Sequence, residues 1–174
     1  MKIFEMVLVS FAFLIIVSYI FIANYDEIDK VEVKLVDCID GDTAKFIVNG
    51  KEEKIRFLGI DTPESTNYVE KYGMDASDYT CSVLRNAKSI YLEYDINSDR
   101  YDKYSRLLAW VFVDGDNLSE LLLSLGYAEV KYIYGDYKYI DDLCNAQKNA
   151  YNDNLGIWSI GYNYKDNYCV KNNY

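Results

Sequence analysis

The chain has 174 residues, 51% of them hydrophobic, which is enough for one domain with a core and short appendages. Its 18 Lys and Arg residues stand against 28 Asp and Glu residues, and the formal charge of -10 excludes a protein that holds polyanions by bulk attraction. Any site for a polyanion must therefore depend on local positive charge or on a bound cation.

The N-terminal segment is predicted to be a membrane anchor or a signal peptide, assigned to residues 1–25. Residues 6–25 carry no charge, and their apolar run is long enough to cross a bilayer as a helix. Bulky Phe21 lies two residues before the best cleavage site, after Ala23, which favours an uncleaved anchor over a cleaved signal. Residues 26–30 are a polar linker. We expect the remainder to be extracytoplasmic, anchored to the membrane, or secreted if the segment is cleaved.

Residues 31–60 are predicted to form a three-stranded meander. The stretch "VEVKLVDCID" alternates between apolar and polar residues, as a half-buried strand does. "TAKFIVNGKEEKIRFLGI" predicts two further strands joined at Asn49 and Gly50, a pair that tolerates the positive φ angles of a tight hairpin.

A helix, two strands and a second helix are predicted to follow. Apolar spacing predicts a helix in the second half of 68–88, and β-branched and aromatic residues predict strands at 89–96 and 106–113. Asn117 is predicted to cap a helix that ends at Gly126.

A last helix is predicted near 136–152. This order predicts an α+β fold with a five-stranded OB-fold β-barrel and three α-helices. The predicted domain spans 31–160, and the tail at 161–174, rich in Asn, Tyr and Lys, is predicted to be poorly ordered.

The four cysteines allow three complete disulfide pairings, and the sequence does not choose among them. They are Cys38, Cys81, Cys144 and Cys169. No CxxC motif and no histidine occurs, so a zinc site is not expected. The pattern favours buried thiols together with one disulfide bridge.

Three carboxylates are predicted to meet at one rim of the meander. Asp42 lies in "IDGDT" at the first hairpin turn, and Asp61 and Glu64 follow the third strand. Such a group suits a hard cation such as calcium, which takes oxygen ligands and needs no histidine.

Two arginines, Arg56 and Arg106, are predicted to form a phosphate site, because guanidinium groups match phosphate oxygens in a planar geometry. Arg56 and Asp61 would face opposite sides of an ideal strand, so we expect a bend at Gly59. Taken alone, these residues also fit ordinary turns and solvated ion pairs.

The motifs "IDGDT", "RFLGIDTPE" and "DKYSR", in this order and at these separations, resemble the staphylococcal nuclease-like family, the thermonucleases. Further likeness lies in "VEKYGMDAS", "GYAEVKYIY" and "LGIWS". The resemblance covers about residues 31–159. It implies the fold of that family, in which an OB-type barrel carries the helices.

The resemblance also implies a role for each motif residue. The implied calcium ligands are Asp42, Asp61 and the backbone carbonyl of Thr62. Arg56 and Arg106 would grip the scissile phosphate, and Glu64 would act as general base. The implied nucleotide contacts are Lys103, Tyr104, Tyr132 and Tyr134.

The function implied is that of a calcium-dependent nuclease that cuts DNA, RNA or both. It is expected to act on single-stranded or flexible substrates with little sequence specificity and to leave 3'-phosphate ends. A monomer is expected. The alternatives are a non-catalytic binding module for nucleic acid or protein tethered to the membrane, and a tethered domain whose carboxylates bind calcium for stability only. The segment after Glu64 is shorter than in the best-known member of the family and lacks its lysine-rich loop.

Overall fold

The structure is a computed structural model that describes residues 30–165 and 167–172. The predicted membrane segment, residues 1–25, and the linker before Lys30 lie outside this range. Within the described range, no helix is long and apolar enough to cross a membrane.

The first predicted strand is divided in two, and this division joins the two edges of the main sheet. β1 (Lys30–Glu32) lies beside β6 (Ile90–Glu93), whereas β2 (Lys34–Cys38) pairs antiparallel with β3 (Thr43–Val48). Only Val33 separates the two halves, and its N–H donates to the Ile90 carbonyl at 2.9 Å. The sequence predicted one strand here, because periodicity along the chain does not report a change of partner.

The remaining strands complete an OB-like sheet. β3 forms a hairpin with β4 (Lys51–Phe57), and Asn49 and Gly50 have the predicted positive φ values of 50° and 79°. β4 pairs in parallel with β7 (Leu107–Val113), which pairs antiparallel with β6. The order in the sheet is β1-β6-β7-β4-β3-β2, with the short β8 (Asp116–Asn117) beside β7. The predicted α+β fold is confirmed at this level.

Two very short strands form a second sheet that the sequence did not predict. β5 (Ile60–Asp61) pairs antiparallel with β9 (Glu129–Val130), and Asp61 lies opposite Glu129. Gly59, between β4 and β5, has a φ of 78°, so the predicted bend is present. A Cβ atom at Gly59 would lie 2.6 Å from Leu143 Cδ1, which leaves only glycine compatible with this close approach.

Among the described residues, the helices are the three predicted ones and two short ones near the C-terminus. They are α1 (Gly73–Asn86), α2 (Leu118–Ser124), α3 (Ile140–Asn152), a 3-10 helix (Gly156–Ile160) and α4 (Tyr168–Lys171). Asn117 caps α2, since its side chain accepts a hydrogen bond from the Ser119 N–H at 3.0 Å. Gly126 has a φ of 67° just after this helix, as its position predicted.

One face of the main sheet and the inner faces of α2 and α3 form one apolar core. Its largest buried side chains include Trp110, Phe46 and Phe57. Trp110 packs edge-on against Tyr137 and Tyr139 in the segment before α3. The core therefore fixes the chain that runs from β9 to α3, which carries two of the predicted nucleotide contacts.

All four cysteines are in disulfides, which differs from the expectation of buried thiols with one bridge. Cys38 bonds to Cys81 and joins β2 to α1, whereas Cys144 bonds to Cys169 and joins α3 to α4. The Cα atoms lie 5.6 Å and 5.5 Å apart. Spacing in the sequence could not reveal these distances, which only the packing of helices on the sheet creates.

The tail also differs from the expected poor order in its described part. The Tyr164 ring stacks on Tyr151 of α3 at a centroid distance of 3.9 Å and meets Trp158 edge-on. The Asn167 side chain is buried and caps α4 by accepting a hydrogen bond from the Cys169 N–H. A single aromatic or amide side chain that anchors a segment leaves no repeating pattern in the sequence, so apolar periodicity did not predict order here.

Candidate functional site

Arg56, at the end of β4, holds two of the predicted metal ligands together. Its side chain is only 7% exposed, and Nη2 lies 3.0 Å from Asp42 Oδ2 and 3.0 Å from Asp61 Oδ1. Nη1 donates to the Phe57 carbonyl at 3.0 Å. The turn before β3 supplies Asp42 and the bend at Gly59 supplies Asp61, so the meander brings both carboxylates to one guanidinium.

Asp42 is fixed by hydrogen bonds from Thr62 and from its neighbour Thr43. Thr62 donates to Asp42 Oδ2 through its N–H at 3.0 Å and its hydroxyl at 3.2 Å. Thr43 donates to Asp42 Oδ1 at 2.9 Å. A Cβ atom at Gly41 would lie 2.8 Å from Thr62 Oγ1, so a small residue is needed where the two loops meet.

The acidic groups around Asp42 have raised pKa values. Burial and the neighbouring Asp42 carboxylate raise the pKa of Asp40 to about 6. Burial also raises the pKa of Asp61, although Lys131 and Arg56 oppose the effect. Carboxylates crowded in this way gain stability from a cation, which partly neutralises their mutual repulsion.

Glu64 lies apart from Asp42 and Asp61, on the more exposed segment that leads into α1. Its Oε1 accepts hydrogen bonds from the N–H of Ser65 at 3.0 Å and of Thr66 at 2.8 Å, as well as from the Thr66 hydroxyl. These bonds lower the pKa of Glu64, so it is ionised at neutral pH. Glu70 accepts a hydrogen bond from the Glu64 N–H at 3.0 Å, which fixes the backbone at the start of this loop.

Arg106 enters the site from the loop before β7. Asp102 aligns it by accepting from Nε at 2.6 Å and from its backbone N–H at 2.9 Å. Asp102 also accepts from the Tyr104 N–H at 2.9 Å, so one carboxylate shapes the whole "DKYSR" loop. Lys103 and Tyr104 project from this loop, and the Arg106 guanidinium lies 5.5 Å from the Tyr104 ring centroid.

The two remaining predicted contacts follow β9. Tyr132 has a φ of 60°, a strained conformation for a residue other than glycine, and its ring lies 5.6 Å from the Arg56 guanidinium. Tyr134 is 83% exposed. A large aromatic side chain in that position has an open face on which a flat ring could stack.

One open pocket of about 640 Å³ collects all ten residues. They are Asp42, Arg56, Asp61, Thr62, Glu64, Lys103, Tyr104, Arg106, Tyr132 and Tyr134. The pocket has the buried Asp42 and Arg56 and the partly exposed Asp61 at its base, and exposed tyrosines at its rim. The roles assigned to these residues from the sequence stay predictions.

A metal ion would need more than side chains here. Among the described residues, no group of three or more Asp, Glu, Cys or His side chains is arranged to hold one. Hard cations do, however, bind through one or two carboxylates completed by backbone carbonyls, water and substrate phosphate. Because Asp42 and Asp61 approach the same nitrogen atom, their placement fits a site of that kind.

Three charged residues in or beside the site were not predicted from the sequence. Asp102 aligns Arg106, and the sequence indicated this contact only through the spacing of four residues between them in "DKYSR". Lys131 lies 3.0 Å from Asp61 Oδ2 and 2.8 Å from Glu129 Oε1. The i, i+2 spacing of Glu129 and Lys131 places them on one side of a strand, but their proximity to Asp61 depends on a sheet that was not predicted.

The sequence also matches a known family and several named relatives. Residues 54–160 match the family described as staphylococcal nuclease homologue. Endonuclease YncB of Bacillus subtilis (strain 168) is 45% identical over 148 residues, which cover 81% of this chain and 69% of that protein.

Two further relatives extend the comparison. The SPbeta prophage-derived endonuclease YokF of the same organism is 41% identical over 150 residues, which cover 82% of this chain and 50% of that protein. Thermonuclease of Staphylococcus hyicus is 38% identical over 129 residues, which cover 72% of this chain and 75% of that protein. The match thus spans half the length of YokF and more of the other two relatives.

Proposed function

The chain belongs to the staphylococcal nuclease homologue family, and we propose that it is a nuclease that hydrolyses phosphodiester bonds of DNA, RNA or both with the aid of calcium. The observation that carries this proposal is that all ten candidate site residues line one pocket. The relatives named endonuclease and thermonuclease support it.

The charges in the pocket match a phosphodiester and its counterion. Arg56 and Arg106 offer guanidinium groups that stay protonated and match phosphate oxygens. Salt screens exposed charge beyond about 10 Å, so the acidic surface elsewhere on the chain does not prevent local attraction. We infer that affinity comes from this pocket rather than from the net charge.

Calcium would be held by Asp42, Asp61 and the Thr62 carbonyl. When bound, it would supply charge stabilisation at the phosphate oxygens. Arg56 already holds the two carboxylates close together, so they need little movement toward each other.

Glu64 is the residue proposed to accept a proton from, or orient, the attacking water. Its lowered pKa keeps the carboxylate ionised at neutral pH, and the Ser65 and Thr66 donors fix its direction. The loss of the 5'-oxygen and the formation of 3'-phosphate ends are part of the same proposal.

Exposed side chains at the rim of the pocket would hold the nucleotides. Tyr104 and Tyr134 are both mainly exposed, and aromatic rings bind unpaired bases by stacking without regard to sequence. Lys103 adds positive charge beside Tyr104, with Nζ 5.0 Å from the ring centroid. This arrangement favours single-stranded or flexible substrates with little sequence preference.

The location and organisation of the chain are proposed from the sequence and supported by the disulfides. Two disulfides persist most readily outside the cytoplasm, which agrees with the proposed anchor or signal at residues 1–25. We propose that residues 31–160 act as a monomeric nuclease domain in that compartment.

The test is digestion of heat-denatured DNA and of RNA in calcium, magnesium or chelator. Glu64→Gln should lower turnover about 100-fold or more without unfolding the protein, because the change removes only a base or water-orienting carboxylate. Glu52→Gln is the matched control, since Glu52 pairs with Lys45 outside the pocket. Folded protein that cleaves nothing in any metal would contradict the proposal and favour the binding module, whereas full activity in Glu64→Gln would overturn the role of that residue.

A further inference from the structure

A lysine stands between two carboxylates where β5 meets β9. Asp61 lies directly opposite Glu129 in this short antiparallel pair, a position in which two negative charges repel. Lys131 Nζ bridges them, 3.0 Å from Asp61 Oδ2 and 2.8 Å from Glu129 Oε1. The ammonium group therefore compensates the repulsion that the pairing creates.

The bridge is held in place from the side away from the pocket. The Glu129 side chain is only 12% exposed, and its Oε2 accepts from Asn167 Nδ2 at 3.3 Å. Asn167 is itself buried, accepts from Gln147 Nε2 at 2.6 Å, and lies two residues before the disulfide-bonded Cys169. The C-terminal segment thus anchors Glu129, and Glu129 anchors the lysine.

Both carboxylate oxygens of Asp61 are consequently occupied by cationic donors. Arg56 Nη2 donates to Oδ1 and Lys131 Nζ donates to Oδ2, each at 3.0 Å. A metal ion that binds Asp61 must replace or share one of them. The Arg56 side chain is 7% exposed and also bonded to the Phe57 carbonyl, whereas the Lys131 side chain is 42% exposed and can move into solvent.

We propose that Lys131 is a built-in competitor of the divalent cation at Asp61 and sets the calcium concentration that the site requires. This inference rests on the proposed function, which makes Asp61 a metal ligand. Calcium must displace the ammonium group to use Oδ2, so part of its binding energy is spent on breaking an existing ion pair. Glu129 keeps the displaced lysine nearby, which makes the competition reversible.

The test is calorimetric titration of calcium into the full-length protein without nucleic acid. Lys131→Met, which keeps the apolar stem and removes the charge, should bind calcium about tenfold more tightly than the unchanged protein. Lys131→Arg, which keeps a cation at this position, should bind calcium with an affinity within about twofold of that of the unchanged protein. Lys45→Met is the control, because it removes the same charge from a surface pair with Glu52 outside the pocket.

A second readout keeps the test decisive if a variant folds poorly. Lys131→Gln retains a hydrogen-bond donor near Glu129, and its melting temperature should rise more with added calcium than that of the unchanged protein. Equal calcium affinity in the unchanged protein and Lys131→Met would overturn this inference and leave the proposed nuclease intact, as would an equal gain in Lys45→Met. No calcium binding by any of the folded proteins would overturn the metal site itself.

Discussion

Replacing Arg56 should separate the structural and catalytic contributions of the two arginines. Arg56→Met removes a buried cation that contacts two carboxylates at 3.0 Å each, and the Asp42 side chain is only 8% exposed. Breaking a buried ion pair by removing one partner costs about 3 to 5 kcal/mol, because the other charge stays buried. Since Lys131 still pairs with the more exposed Asp61, we expect a loss near 3 kcal/mol on this scale.

Arg106→Met is the matched comparison, because it deletes the other guanidinium of the pocket. The Arg106 side chain is 24% exposed, and Asp102 keeps its hydrogen bonds from the N–H groups of Tyr104 and of residue 106. The expected loss is therefore about 1 kcal/mol or less. Both variants should lose nuclease activity, since each removes a proposed phosphate contact.

The assay is urea denaturation followed by circular dichroism at pH 7 with chelator present, and digestion of denatured DNA in calcium at a temperature where both variants are folded. The chelator matters because calcium would replace part of the missing positive charge beside Asp42. A loss below about 1 kcal/mol in Arg56→Met, or equal losses in the two variants, would refute the argument that Arg56 braces the carboxylates.

Two further predictions concern stability. Replacing Cys144 and Cys169 together by alanine should lower the free energy of unfolding by about 3.5 kcal/mol, on the chain-entropy estimate for their separation of 25 residues. Urea denaturation of the non-reduced protein and of this variant would measure the difference. An unchanged urea midpoint would contradict the tethering role of the disulfide. For Asp102, burial raises the pKa, but the hydrogen bonds from Arg106 and Tyr104 outweigh it and leave the pKa lowered, so its contribution is present above the ordinary Asp range and is lost as the pH falls through the lowered value. Asp102→Asn should thus be less stable at pH 7, by about 1 kcal/mol or less, and the gap should close on acidification; a gap that does not change with pH would refute this.

The sequence predicted those parts of the molecule whose physical cause is local. The hairpin at Asn49 and Gly50 and the cap at Asn117 follow from the conformations and hydrogen bonds that these residues favour in any protein. Apolar periodicity likewise predicted α1 and α3, because each buries one face on the same core. The ten candidate site residues were predicted because they lie in short motifs, and the pocket contains all of them.

Only the tertiary structure decided which distant residues meet. The division of the first strand at Val33 depends on two different partners, and the pairing of Cys144 with Cys169 depends on a tail that carries no periodic pattern. The contact of Lys131 with Asp61 spans 70 residues and requires the pairing of β5 with β9, two strands too short to leave a signal. Local propensity is encoded within a few residues, whereas an ion pair or a disulfide depends on distances that packing alone sets. The sequence therefore determined the motifs, and the fold determined which charged side chains of those motifs pair with each other.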